Sequence, residues 1–408
     1  MVVEVKPEVR PKLGMVGNVA GATTEEIQHL AREQLGRDSL LGPYTHVHVF
    51  WLAGMSCDGC TISVLGAVAP RVEDLLMGSL PGLPQILLHH SAVNVESGDP
   101  FVEPMQRALE GTLGAPYVIV YEGSVPDETR AGDGYWSAVG EEFDERTGQF
   151  KQVPSSVWLK RLAPGAAAVI AIGTCATWGG IPAAYHNATG AMSVMDFLGR
   201  DYRSALGLPV VNIPGCAPVG DNFTETVAAV LLFLQGLGPV PEFDELGRPA
   251  WLFGETVHRQ CTRAGYYEEG VFAEHYGDRE CLVEIGCWGP VVNCNITARG
   301  ALNGLGGCMN VGGPCIGCTM PGFPDKFSPF YKAPPGSTIS GTISRLNGSF
   351  IRPLRRITQR DRNRETRWDR QRAIPSGWGA EYDVPIIERT VEFFYNRLRW
   401  RGSSAKPE

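Results

Sequence analysis

The stretch HVHVFWLAGMSCDGC, His46–Cys60, decides the fold. His46–Leu52 is a run of apolar, aromatic and strand-forming residues, long enough for a buried strand. The run breaks at Gly54 and delivers two thiols, Cys57 and Cys60, directly after the strand should end. The pattern recurs. Ala167–Ile172 leads into Gly173-Thr174-Cys175-Ala176, and Val210–Ile213 leads into Pro214-Gly215-Cys216-Ala217-Pro218. Gln85–His89 and Tyr117–Tyr121 have the same strand character, and helical stretches such as Val102–Glu110 and Thr224–Leu237 lie between the strands. Apolar strands alternating with helices predict a parallel sheet covered on both faces, an α/β flavodoxin-like doubly wound domain. In such sheets ligands gather beyond the carboxyl ends of the strands, so Cys57, Cys60, Cys175 and Cys216 are expected to converge.

Four converging thiolates suit a [4Fe–4S] cluster, each iron of which needs one soft ligand. The neighbouring glycines would let backbone approach it. The plainer alternative is a structural zinc held by four cysteines. Zinc sites usually pair two close C-x-x-C knuckles, whereas only Cys57 and Cys60 are close here. Asp58 between them reads first as a turn residue; as a minority alternative it replaces a thiolate as an iron ligand.

The chain holds eleven cysteines, an odd number that no internal disulfide framework can consume. After Leu237 the sequence becomes rich in Gly, Pro and Cys and loses strong periodicity. A small domain without a large apolar core needs another kind of support, and metal clusters are one. Two further ligand sets can be drawn from it: His258, Cys261, Cys281 and Cys287, then Cys294, Cys308, Cys315 and Cys318. With the first four these use every cysteine. A neutral imidazole in place of a thiolate makes a cluster less negative and raises its potential.

Residues 1–44 read as an N-terminal extension with one plausible helix at 24–35. Residues 45–240 read as the flavodoxin-like domain, 241–335 as a small loop-rich iron–sulfur domain, and 336–408 as an Arg-rich C-terminal extension. Ile351–Arg372 carries nine arginines against three acids, a solvated tail or, more sharply, a docking arm. A hydrophobic share of 43% with 20% charged residues fits a globular chain with a real core. A net charge of −8 argues weakly against a nucleic-acid partner. No run is long enough for a transmembrane span; the longest, Val227–Leu237, reads as a buried helix. The N-terminus has neither an apolar signal region nor a twin arginine, which predicts a cytoplasmic location with any membrane contact peripheral or through a partner.

The Cys57/Cys60 pair, Val120-Tyr121-Glu122-Gly123, Gly173-Thr174-Cys175, Pro214-Gly215-Cys216, Gly254-Glu255-Thr256-Val257-His258 with Cys261, Glu284-Ile285-Gly286-Cys287-Trp288-Gly289-Pro290 and Pro314-Cys315-Ile316-Gly317-Cys318 together resemble the small subunit of nickel–iron hydrogenases. The resemblance covers roughly Val47 to Tyr331. It implies a proximal cluster on Cys57, Cys60, Cys175 and Cys216, and a medial cluster on Cys294, Cys315 and Cys318. It further implies a distal cluster on His258, Cys261, Cys281 and Cys287. It also implies a large-subunit partner that carries the nickel–iron centre with its cyanide and carbonyl ligands, and a dimer of such heterodimers. Many family members hold a three-iron medial [3Fe–4S] cluster with proline at the fourth position. Cys308 stands there in this chain, which predicts a medial [4Fe–4S] cluster of lower potential. Gly59 and Gly180 occupy positions where the membrane-bound oxygen-tolerant type adds cysteines. The chain looks most like the actinobacterial-type uptake enzymes, some of which use an aspartate at the proximal cluster.

The implied role is passage of electrons, one at a time, from hydrogen oxidation in the partner to an external acceptor of unknown identity. No acid–base residue is assigned, and Glu122 is expected in a packing or interface role. A complex I-type subunit with a single cluster is the main rival, against which residues 258–318 count; a zinc-stabilised binding module is the other.

Overall fold

The computed structural model describes residues 45–91, 93, 98–331 and 343–346. The expected helix at 24–35 and nearly all of both extensions lie outside them. Contacts divide the chain into two units. The first comprises residues up to Gly254 with Arg299–Leu305 and Gly317–Ser328; the second comprises Glu255–Ala298, Gly306–Ile316 and the chain from Pro329.

Among the described residues of the first unit seven strands form: β1 His46–Ala53, β2 Gln85–His90, β3 Tyr117–Glu122, β4 Ala138–Asp144, β5 Gln149–Pro154, β6 Ala168–Ile172 and β7 Val211–Ile213. Five of them make one sheet in the order β2-β1-β3-β6-β7, and every neighbouring pair is parallel. Every residue of β3 and β6 is buried, as parallel strands covered on both faces require. The side-chain period of two sorts them into two cores. Val47, Val49, Trp51, Val118, Val120, Ile170 and Ile172 pack on one face with Phe223, Val227 and Leu231 of the helix Gly220–Leu234. Phe50, Leu52, Ile119, Tyr121, Val169 and Ala171 face the other way. There they meet Met105 of helix Asp99–Leu109 and Trp158 of helix Ser155–Leu162. An apolar cavity of about 40 Å³ lies on the first face, between Trp51, Val120, Leu75 and Val227.

The expected strands match to within a residue or two, and both expected helices are present with earlier starts. Asp99 and Pro100 open the helix Asp99–Leu109 because proline suits a first turn, whose N–H groups have no intrahelical partner. The hairpin β4–β5 is not among the expected elements. Its residues are mostly polar and exposed, with Phe143 paired to Phe150 across the strands, ring centroids 5.3 Å apart.

The linker after Leu237 stays with the first unit, so the division falls after Gly254 rather than at 240. Asn212 of β7 explains this: its side chain donates to the Leu246 carbonyl at 2.7 Å, and its backbone N–H donates to the Gly247 carbonyl at 2.8 Å. The second unit has only short turns and helices among its described residues, such as Val257–Gln260, Ala264–Glu268 and Leu282–Ile285. Its small apolar cluster gathers Phe272, Cys281 and Val283, with Tyr267 against them.

Candidate functional site

The chain leaves β1 toward β2 on one side and leaves the neighbouring β3 toward β6 on the other, so a crevice opens beyond the carboxyl ends of β1 and β3. Cys57 follows β1 there. Asp58 takes a left-handed backbone (φ 58°), which Asp tolerates better than most residues, and turns the chain into the helix Gly59–Leu65 that carries Cys60. Cys175 lies in the helix Gly173–Trp178 after β6, and Cys216 follows β7. The last two segments are tied together: Thr174 N–H donates to the Gly215 carbonyl at 3.0 Å, and Gly215 N–H donates to the Thr174 hydroxyl at 3.0 Å.

Glu122 ends β3 and is 1% exposed. Its carboxylate accepts from the Trp51 indole N–H at 3.0 Å, from the backbone N–H groups of Cys60 and Thr61 at 3.1 and 3.3 Å, and from the Thr61 hydroxyl at 2.5 Å. It therefore anchors the first turn of the Cys60 helix, a packing role at the heart of the crevice. Two glycines clear space around the thiols. A Cβ on Gly173, at φ +83°, would stand 2.4 Å from Cys60 Sγ, and one on Gly180, at φ +56°, would stand 2.8 Å from Cys175 Sγ.

The four thiols share one electrostatic neighbourhood. Burial pushes the Cys60 thiol far above its usual range, with Glu122, Cys175, Cys57 and Cys216 adding to it. Cys175 is pushed up to about 11 by burial first, then by Cys216, while a backbone N–H from Ile181 works against the rise. Cys216 is raised by burial and by Cys57. Side by side, bare thiolates here repel one another; a multi-iron core would supply the missing positive charge. None of the eleven cysteines is joined to another in a disulfide. Among the described residues, no three His, Cys, Asp or Glu side chains are arranged around a single metal ion. The donor set, the cleared glycines and the shared crevice fit the wider grip that a cluster needs.

In the second unit, Cys261, Cys281 and Cys287 come together. Cys281 is pushed up to about 12 by burial, with Cys287 and Cys261 adding and Arg263 opposing. Cys287 Sγ accepts backbone N–H groups from Cys315 at 3.3 Å and Gly289 at 3.4 Å, and Cys261 Sγ accepts one from Arg263 at 3.4 Å. His258 lies one helical turn before Cys261, its ring edge-on to Tyr267 with centroids 4.6 Å apart. Burial lowers the His258 pKa, favouring the neutral ligand form, against a smaller opposing effect of Glu268. Cys294, pushed up to about 11 by burial, is further raised by Cys308. Cys315 lies in the same unit, with its backbone N–H on Cys287 Sγ, whereas Cys318 falls in the first unit, where the Thr174 hydroxyl donates to its carbonyl. Sequence reading missed Arg263, whose side chain meets backbone carbonyls and so leaves no motif.

Two family models match the chain. The model for the 20 kDa NADH ubiquinone oxidoreductase subunit covers residues 57–230, and the model for the C-terminal part of the NiFe/NiFeSe hydrogenase small subunit covers residues 253–331. The periplasmic NiFeSe hydrogenase small subunit of Desulfomicrobium baculatum is 35% identical over 287 residues, 70% of this chain and 87% of that protein. The hydrogenase-2 small chain of Escherichia coli K12 is 34% identical over 67% of each chain. The solved actinobacterial-type NiFe-hydrogenase from Ralstonia eutropha H16 superposes with a TM-score of 0.74 at 46% identity, covering 84% of this chain and 97% of that one. The first model alone would leave the complex I-type rival standing; the second, over the cysteine-rich unit, removes it. With a parallel sheet that ends in thiols and a second unit that gathers more of them, the chain belongs to the nickel–iron hydrogenase small-subunit family, the electron-transferring partner of a hydrogen-oxidising large subunit.

Proposed function

We propose that this chain carries electrons through three [4Fe–4S] clusters. The proximal set is Cys57, Cys60, Cys175 and Cys216. The medial set is Cys294, Cys308, Cys315 and Cys318. The distal set is His258, Cys261, Cys281 and Cys287. The observation that carries the reading is the convergence of Cys57, Cys60, Cys175 and Cys216, from three distant segments, at one crevice beyond the strand ends. When bound, each cluster accepts and releases one electron at a time.

The chain's own residues position and tune. Glu122 holds the Cys60 turn. Gly173 and Gly180 keep side chains away from the thiols. Backbone N–H groups of Gly289, Cys315 and Arg263 donate to ligand sulfurs, which disperses thiolate charge and raises the potential. Cys308 as fourth medial ligand makes a four-iron rather than three-iron cluster the natural occupant. Asp58, exposed in its left-handed turn, stays a turn residue in this reading, with the Cys57 thiol as the ligand beside it.

The nickel–iron site belongs to the large subunit, the heterodimer pairs again, and electrons leave to an external acceptor. No helix among the described residues is long and apolar enough to cross a membrane. We place the protein in the cytoplasm, with any membrane contact peripheral. The chain co-purified with its large subunit should hold about twelve irons with matching acid-labile sulfide. It should also reduce a dye with hydrogen while its EPR signals appear. Zinc without sulfide would defeat the proposal, and signals unchanged in Cys308→Pro would remove the medial assignment.

A further inference from the structure

Arg263 is half-buried and ties three segments of the second unit together. Its Nε donates to the Met309 carbonyl at 3.0 Å; its Nη1 donates to the carbonyls of Asp278 at 2.5 Å and Glu280 at 3.0 Å. Its own backbone N–H donates to Cys261 Sγ. Three of these four contacts adjoin a thiol. Met309 follows Cys308, Glu280 precedes Cys281, and Arg263 lies two residues after Cys261. Within the segment it grips, the Asp278 carboxylate accepts from Glu274 and His275 N–H at 2.9 Å each.

We propose that Arg263 is a positioning residue for electron transfer, whose guanidinium fixes the spacing between the Cys261–Cys281–Cys287 group and Cys308 and sets one permanent positive charge beside both. The inference rests on the ligand sets proposed above. Geometry and charge act separately. A planar guanidinium presents fixed donors along two edges and can hold carbonyls from two segments at once, which the single ammonium of lysine does not reproduce. A fixed cation stabilises the more negative, reduced form of any cluster beside it, so it raises their potentials together. Spacing matters because electron transfer between clusters slows steeply with distance, and the tie to Met309 and Glu280 sets the separation between thiols of the distal and medial sets.

The test uses the heterodimer with its large subunit, comparing wild type, Arg263→Lys and Arg263→Gln by EPR-monitored redox titration and amide hydrogen exchange. Arg263→Gln should move the distal and medial midpoints to more negative values together and lower hydrogen-dependent dye reduction about 10-fold. Arg263→Lys should leave both midpoints close to wild type yet speed exchange across Glu274–Cys281, since the fork is gone and the charge is kept. If Arg263→Gln does not assemble, the exchange result for Arg263→Lys decides. Midpoints unmoved, a shift confined to one cluster, or unchanged exchange in Arg263→Lys would each overturn the role of Arg263 while leaving wild-type clusters intact. A wild-type complex with no iron and sulfide would overturn the ligand reading as well.

Discussion

The two units hold their thiols by opposite means. In the first, Cys57, Cys60, Cys175 and Cys216 follow the ends of a five-stranded parallel sheet whose two apolar cores count no thiol among their buried residues, with Cys60 packing against one of them. In the second, Cys281 is itself part of the small apolar cluster, and short turns stand where the first unit has strands. The first unit is a fold that carries a site, and the second is a set of sites that carries a fold. Buried apolar area stabilises the former at roughly 25 cal/mol per Å²; ligation must supply much of the stability of the latter.

Removal of the metal should break the comparison most visibly. Chelation under non-denaturing, reducing conditions should abolish amide protection across residues 255–298, while β1, β3 and β6 keep theirs. Hydrogen exchange with mass spectrometry reads both regions in one sample. Equal loss in the two units would show that the sheet depends on its cluster as much as the small unit does, and the contrast would fail.

Glu122 sharpens the comparison from the other side, since it is the point where the first unit's core reaches its site. Glu122→Leu orphans the Trp51 indole N–H and the N–H groups of Cys60 and Thr61 in a place shielded from solvent. An orphaned buried donor costs about 1–3 kcal/mol, and the expected loss is about 4 kcal/mol for Glu122→Leu. Glu122→Gln keeps one oxygen but turns an NH₂ toward donors, so about half that loss is expected. Chemical denaturation followed by tryptophan fluorescence measures both. A loss below about 1 kcal/mol for Glu122→Leu would remove the anchoring role.

This contrast also explains what could be read from sequence. The five sheet strands were legible because each is built around a short run of apolar residues, unbroken in β6, and the thiols of Cys57, Cys175 and Cys216 because they follow strands directly. The hairpin β4–β5 escaped because GluGluPheAsp and GlnPheLysGln put one aromatic among charges, with Phe143 and Phe150 exposed; the Asp144–Gly148 turn, with Gly148 at φ 66°, was its one local signal. The linker after Leu237 looked like a boundary by composition, yet Asn212 holds it to β7. In the second unit the cysteine spacing was legible and its scaffolding was not. Arg263 bonds to carbonyls that any residue type would offer, and which loops bring those carbonyls close is decided by tertiary structure alone.

The smallest expected effect concerns a feature of the first unit that lies apart from its thiols. His48 Nδ1 and His89 Nε2 are 2.8 Å apart with rings stacked at 5.1 Å, and His46 lies edge-on to His48 at 5.6 Å. Burial lowers the His48 pKa to about 4, with His89, His46 and Arg107 each adding a smaller push in the same direction. The folded value lies below the ordinary value of 6.5, so the unfolded chain binds the extra proton first. Stability contributed by neutral His48 is therefore complete above pH 6.5 and is lost as pH falls toward 4, the reverse of a histidine held in an ion pair. His48 is only half-buried, and solvent screening reduces the loss to about 1 kcal/mol. Denaturation midpoints at about pH 7 and about pH 4.5 for wild type and His48→Phe measure it, with ring packing against Phe50 preserved in the variant. The wild type should lose about 1 kcal/mol more than His48→Phe over that interval. Because the histidines sit on the β1–β2 side of the sheet, the loss should appear in β2 exchange before it reaches Glu122, and parallel pH curves for the two proteins would show that the stacked rings carry no proton-linked energy.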